Sequence, residues 1–242
     1  MGQSGGEPRN VSDPSLFIES FMACVDYLGV DVPFVNRDKI GVIGICGSGG
    51  FTLAATQIDP RIKAVATASM YDMTQASRLK IEEHTHTPLT DEEIKTKKEE
   101  IAQQRWTDFK NGHPQYNPYF PDHPQDKVPD NLDPVTAEWF RFYATPRGFH
   151  PNARGGFTTT SELSMMNTIL LDHLDEISPR PTLLIAGDHA HSKFFSEEAY
   201  EKLKEPKELY IVEDAEHIDL YDRMDKIPFN KIEEFFKEAF KN

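Results

Sequence analysis

Only two cysteines occur in the 242 residues, Cys24 and Cys46. One falls on the expected apolar face of a helix and the other in a glycine-rich turn. That placement argues against a disulfide framework and suits a reducing, cytoplasmic setting. No run of about 18 apolar residues is present, so no helix spanning a bilayer is expected. The opening residues, Met1-Gly2-Gln3-Ser4-Gly5-Gly6, hold neither the basic nor the apolar stretch of a secretory leader, and Gly6 stands where a myristoylation signal needs Ser or Thr. Basic residues are in short supply: 26 Lys and Arg face 40 Asp and Glu, for a net charge of −14. Such a surface repels phosphate backbones and anionic lipids, so neither nucleic acid nor a membrane is an expected partner. Metal-ligand spacing is also missing. His84 and His86 form an H-x-H, with His113 and His123 further on, but no ordered Cys or carboxylate set accompanies them. No metal and no other cofactor is expected.

What is present is an alternation of apolar segments. Ser12-Asp13-Pro14 supplies a cap and a first-turn proline, and Phe17, Phe21, Cys24, Val25 and Leu28 recur at helical spacing until Gly29. Residues 40–45 form a short apolar run, expected to be a strand buried on both faces as in a parallel sheet. Residues 51–58 read as a helix and 62–68 as a second buried strand. The pattern then changes. Residues 91–110 are a charged helix, 111–134 a loop rich in Pro, His and Asn, 137–143 a short aromatic helix and 161–174 an apolar one. This stretch is too long for a crossover connection and reads as an inserted cap, mostly helix and loop, over the carboxyl ends of the strands. Regular alternation returns with strands at 182–186 and 209–212, a helix at 197–204 and a final helix with Ile232, Phe235, Phe236, Ala239 and Phe240 on one face. The expected fold is α/β, a mostly parallel sheet wrapped by helices, with core residues 1–68 and 180–242 and a helical cap at 69–179.

The chemistry centres on Gly44-Ile45-Cys46-Gly47-Ser48-Gly49-Gly50. A nucleophile elbow holds a reactive side chain at a sharp strand-to-helix turn, with small residues two before and two after it. Cys46 fits that pattern. The helix that follows would favour a thiolate and depress the thiol pKa, and the Gly47 N–H would be an oxyanion donor. Ser48 fits the same rule through Cys46-Gly47-Ser48-Gly49-Gly50 and is the alternative nucleophile. The competing phosphate-loop reading fares worse, because neither G-x-G-x-x-G nor a following Lys-Ser/Thr is present. A triad then requires an acid and a histidine in that order. Asp188 and His217 each lie just past an expected strand, where open α/β sheets build their sites. His217 would be the general base and Asp188 its orienting acid, with Asp214 and Asp219 as other acids in reach. His189 and His191 flank the acid loop. Trp106, Trp139, Phe140, Met165 and Met166 are candidate acyl-pocket residues, although such residues are more often plain core.

Four segments carry a family resemblance: Gly2-Gln3-Ser4-Gly5-Gly6-Glu7-Pro8-Arg9, Ile43-Gly44-Ile45-Cys46-Gly47-Ser48-Gly49, Ala186-Gly187-Asp188-His189-Ala190-His191-Ser192 and Glu216-His217-Ile218-Asp219-Leu220-Tyr221-Asp222. In their order the chain resembles the dienelactone-hydrolase-related branch of the α/β-hydrolase superfamily, in which dienelactone hydrolases carry a cysteine at the place of Cys46. The resemblance implies a hydrolase of small ester or thioester substrates acting through an acyl-enzyme. A catalytically impaired scaffold that binds a small ligand or partner subunit is the alternative. In the family, a segment like that of residues 2–9 follows the fourth strand. The early strands and the loop giving a second oxyanion donor are therefore expected to be missing. An open sheet edge at residues 40–45 would then favour a homodimer.

Overall fold

The computed structural model describes residues 5–241. In chain order its elements are α1 (Pro14–Val30), β1 (Gly41–Ile45), α2 (Gly47–Ile58), β2 (Ala64–Ala68), α3 (Met73–Ala76), β3 (Leu79–Ile81), β4 (His86–Pro88), α4 (Asp91–Asn111), α5 (Pro134–Tyr143), α6 (Glu162–Met166), β5 (Thr182–Gly187), α7 (Lys193–Lys202), β6 (Lys207–Val212), α8 (Asp219–Asp222) and α9 (Phe229–Ala239). They fall into two compact units. Of the described residues, one takes 14–73 and 169–241; the other takes 5–13 and 74–168.

The first unit is a four-stranded sheet in the order β1-β2-β5-β6, parallel throughout. β2 and β5 are buried along their whole length, as inner strands of a sheet covered on both faces must be. On one face α9 lays Ile232, Phe235 and Phe236 against Ala66, Ala68, Leu183, Ile185 and Val212. On the other, Ile18, Phe21, Val25 and Leu28 of α1 pack with Ile40, Ala55 and Ile62.

Two expectations fail in this unit. Cys24 is exposed. The buried stripe of α1 runs through Val25, and one residue along a helix turns about 100° away from it. β1 is not buried on both faces either: Ile43 and Ile45 keep 48% and 43% of their surface. Among the described residues it is an outer strand paired on one side only, and over Gly41 the face that these isoleucines share is closed by Phe236 and Phe240.

The second unit is helix and loop with one short antiparallel hairpin, β3 with β4, that the sequence pattern does not reveal. α4 is almost entirely polar and depends on its ends. Thr90 and Glu93 form a reciprocal capping box, and Gly112 closes the helix in the left-handed conformation. The apolar helix expected at 161–174 is only α6. Asn167 ends it, and Leu170, Leu171 and Leu174 are buried in the sheet unit instead. Met165 and Met166 are core, Trp139 and Phe140 are half-buried, and Trp106 is exposed. A cavity of 470 Å³ in this unit is lined by residues including Arg9, Tyr119, Phe120, Tyr143 and Arg154. Among the described residues no helix is long and apolar enough to cross a membrane.

Because the four strands are parallel and in register, they end along one edge. Ile45 pairs with Ala68, Ala68 with Ile185, and Gly187 with Val212. The loops that leave this edge carry Cys46, Ser69, residues 188–192 and residues 213–218.

Candidate active site

Cys46 follows β1 directly and starts α2. Its backbone sits at φ 57°, ψ −130°, a left-handed conformation that a residue with a Cβ rarely adopts and that persists only where the surroundings impose it. Here the Cys46 N–H donates to Ala68 O at 3.1 Å, and its carbonyl accepts from Gly49 N at 2.8 Å and Tyr71 N at 3.0 Å. The turn is tight enough to exclude a side chain at Gly44, where a Cβ would lie 2.6 Å from Ser48 O and 2.7 Å from Gly49 Cα. Ser48 lies in the first turn of α2 with its side chain exposed. Of the two candidate nucleophiles, Cys46 therefore occupies the strained corner.

The thiol is part-buried, with the Tyr221 hydroxyl and the Gly47 amide beside it. Burial pushes the Cys46 thiol above its ordinary value of 9.0, and the neighbouring Tyr221 hydroxyl and Gly47 amide pull it back in part. The depressed thiol expected from the helix terminus is therefore reversed, since desolvation penalises thiolate more than the local donors favour it.

His217 lies in the loop after β6 and is wholly buried. Nδ1 is 2.5 Å from Ser192 Oγ, and Nε2 is 2.9 Å from the Tyr221 hydroxyl. The Ser69 hydroxyl donates to the His217 carbonyl at 2.7 Å, from a backbone held at φ 47°. His191 stacks on the imidazole with ring centres 4.9 Å apart, and Tyr71 meets it edge-on at 5.6 Å. Burial first, and then the neighbouring His191, hold His217 well below the ordinary histidine value of 6.5. It is a neutral imidazole at neutral pH, able to accept a proton.

Asp188 is not brought to His217. Its Oδ1 accepts from Ala215 N at 3.2 Å, and its other neighbour is the exposed His189, at 3.8 Å. The carboxylate is thus used within the turn that joins the two loops, and its pKa is lowered there by the Ala215 and Asp214 amides against the opposing effect of desolvation. The site facing Nδ1 belongs to Ser192, the residue from which α7 starts. Asp188, His189 and Asp214 approach one another closely, but exposed carboxylates do so without a bound cation. Asp219 is buried, and it accepts from the Glu216 N–H at 3.1 Å, which fixes the turn before His217. His84, His86, His113 and His123 are exposed. The sequence pattern gave no role to Tyr221, Ser192, Ser69 and Tyr71, and it placed His191 only beside the acid loop. Tyr221 had a legible signal, since H-x-x-x-Y places two side chains on one face of a helical turn.

The buried, depressed His217 has a consequence for stability. In the unfolded chain the imidazole takes up a proton near pH 6.5, whereas the folded chain resists it until lower pH. Its contribution is therefore fully present above about pH 6.5 and is lost as pH falls below that value. Urea unfolding of the wild type should lose stability on acidification faster than that of His217→Gln. The difference should approach about 1.4 kcal/mol per pH unit between the two pKa values, and parallel curves would contradict it.

A parallel sheet with a strained cysteine elbow after one strand and a buried histidine after another is the arrangement of the α/β-hydrolase fold. The crystal structure of the hydrolase GrgF from Penicillium supports that fold, at a TM-score of 0.75 and 23% identity over 100% of this chain and 78% of that one. No family model matches the sequence. The uncharacterized protein PA2218 of Pseudomonas aeruginosa is 45% identical over 98% of this chain and 62% of its own length. Its crystal structure gives a TM-score of 0.89, covering 99% of this chain and 72% of the crystallised one. YcjY of Escherichia coli is 31% identical over 92% of this chain and 70% of its own length. The chain belongs to the family of YcjY and PA2218, and it spans 62% of the length of PA2218.

Proposed function

We propose that the protein hydrolyses small ester or thioester substrates through an acyl-enzyme on Cys46, with His217 as general base and acid. The observation that carries this reading is the coincidence of a left-handed, over-determined Cys46 with a wholly buried neutral imidazole, both beside the Tyr221 hydroxyl. The sulfur bonds to the acyl carbon as its proton goes to His217. The carbonyl oxygen becomes an oxyanion beside the Gly47 N–H. The tetrahedral adduct then collapses, and the departing alcohol or thiol takes the proton from His217. Water, deprotonated by the same imidazole, releases the acid and restores the thiol. A cysteine nucleophile aligns this chemistry with the dienelactone-hydrolase-related branch rather than with serine esterases. Turnover of p-nitrophenyl acetate and of a short acyl thioester should fall by roughly 10²–10⁴-fold in His217→Gln. Equal rates in the variant and the wild type would reject the reading.

A further inference from the structure

We propose that the cavity of the second unit is a binding site for a planar aromatic carboxylate, with Arg154 as the anchor for its charge. Two antiparallel segments build the site. The Asn117 N–H donates to Phe157 O and the Phe120 N–H to Arg154 O, both at 2.8 Å, and Tyr116 and Tyr119 form bridges to Thr158 and Gly155. The segment that holds Arg9 and Asn10 is tied to the same place. Asn10 Nδ2 donates to Gly156 O at 3.0 Å and to the Tyr119 hydroxyl at 3.2 Å, and the Asn10 carbonyl accepts from Thr158 N at 2.8 Å. The enclosed volume of 470 Å³ lies within the range of small-molecule sites.

Arg154 is fixed before any ligand arrives. Its Nε–H is shared between Phe120 O and Pro121 O, both at 2.9 Å, and its guanidinium lies over the Tyr119 ring, 5.3 Å from the ring centre. That ring in turn rests on Gly156, whose φ is 72° and where a Cβ would run into it. With Nε spent on the backbone, the two terminal nitrogens remain, and among the described residues neither has a hydrogen-bond acceptor. A planar fork of this kind matches the two oxygens of a carboxylate. Arg9 adds a second guanidinium to the lining. The cavity is therefore a cationic spot on a chain of net charge −14, a surface that repels polyanions and admits a single negative charge at least cost. The acid that feels Arg154 from within the protein is Asp122. It is exposed, and its carboxyl is held below its ordinary range first by His123, at 2.6 Å, and last by Arg154. The remaining wall is aromatic. Phe120 and Tyr143 stack with ring centres 5.7 Å apart and 19° between their planes, and Tyr119 and Phe157 complete it. A rigid flat ring covers such a wall with little conformational entropy to lose.

Isothermal titration calorimetry of the whole chain with 2-naphthoate and with 2-naphthamide, its neutral analogue of the same shape, tests the site. The carboxylate should bind with a Kd on the order of 10⁻⁴ M, the scale set by a ligand of about a dozen non-hydrogen atoms. The amide should bind at least roughly tenfold more weakly, because it forgoes the charge-assisted pair. In Arg154→Gln the two ligands should bind alike, at the level of the amide. Arg154→Lys keeps the charge without the fork and should regain only part of the difference. Arg154 also braces the loop at Phe120 and Pro121, so a second variant leaves it in place. Ala153→Leu enlarges another lining residue and should weaken both ligands together. Equal affinity for carboxylate and amide in the wild type, or discrimination that survives intact in Arg154→Gln, overturns the proposal. So does the absence of binding by either ligand at millimolar concentration, or wild-type affinity for both in Ala153→Leu. Binding is read without turnover, so the outcome stands apart from the hydrolase reading.

Discussion

Cys46→Ala should lower p-nitrophenyl acetate turnover by roughly 10³-fold or more, the scale on which removal of a nucleophile acts, while Ser48→Ala retains most of the activity. The expectation comes from the backbone. Cys46 is held at φ 57° by hydrogen bonds to Ala68, Gly49 and Tyr71, and its thiol lies beside the hydroxyl that meets His217. Ser48 is already inside α2 with its side chain exposed. Alanine at 46 keeps a Cβ at that corner, so the fold should survive, and unchanged urea unfolding would confirm that the loss is chemical. A Ser48→Ala enzyme that is dead beside an active Cys46→Ala enzyme would reverse the assignment.

Gly187→Ala should be nearly as damaging, for a different reason. A Cβ at Gly187 would lie 2.1 Å from Ala215 O and 2.7 Å from Ala215 C. Both are backbone atoms, so no side chain can swing aside. The loop after β6 must move, and that loop carries His217 two residues later. Overpacking of this kind costs about 1–3 kcal/mol. A displacement near 1 Å of the imidazole from Ser192 and Tyr221 would reduce activity on the order of 10²-fold. Urea unfolding and kcat/KM report the two losses separately, and wild-type values in both would show that the loop has more room than its geometry implies.

The sheet was legible because its signals are local. The apolar runs that became β1, β2, β5 and β6 end in Cys46, Ser69, Asp188 and Glu213, and their alternation with helices allows few other arrangements. The elbow was legible because Gly44, Gly47 and Gly49 punctuate a strand-to-helix junction. The partner of His217 was not. Residues 188–192 form a loop in which no periodicity fixes side-chain direction, so the acid nearest the strand end drew the assignment while the serine four residues on makes the contact. The ionisation of Cys46 was misjudged because a helix terminus is visible in sequence and desolvation is not. Cys24 was assigned to the apolar face of α1 because an adjacent valine blurs the edge of a helical stripe. The hairpin of β3 and β4, three residues a side, lacks the length and alternation that announce a strand.

The central claim is a covalent acyl intermediate on Cys46, and the most direct test is to catch it. Mixing the protein with p-nitrophenyl acetate, quenching in acid during turnover and mapping peptides by mass spectrometry should find one acetyl group on the peptide that holds Cys46. The peptide with Cys24 should stay unmodified, and the adduct should persist longer in His217→Gln if any forms. Turnover with the acetyl group on Ser48, or with no adduct on Cys46 under conditions where product accumulates, would contradict the account.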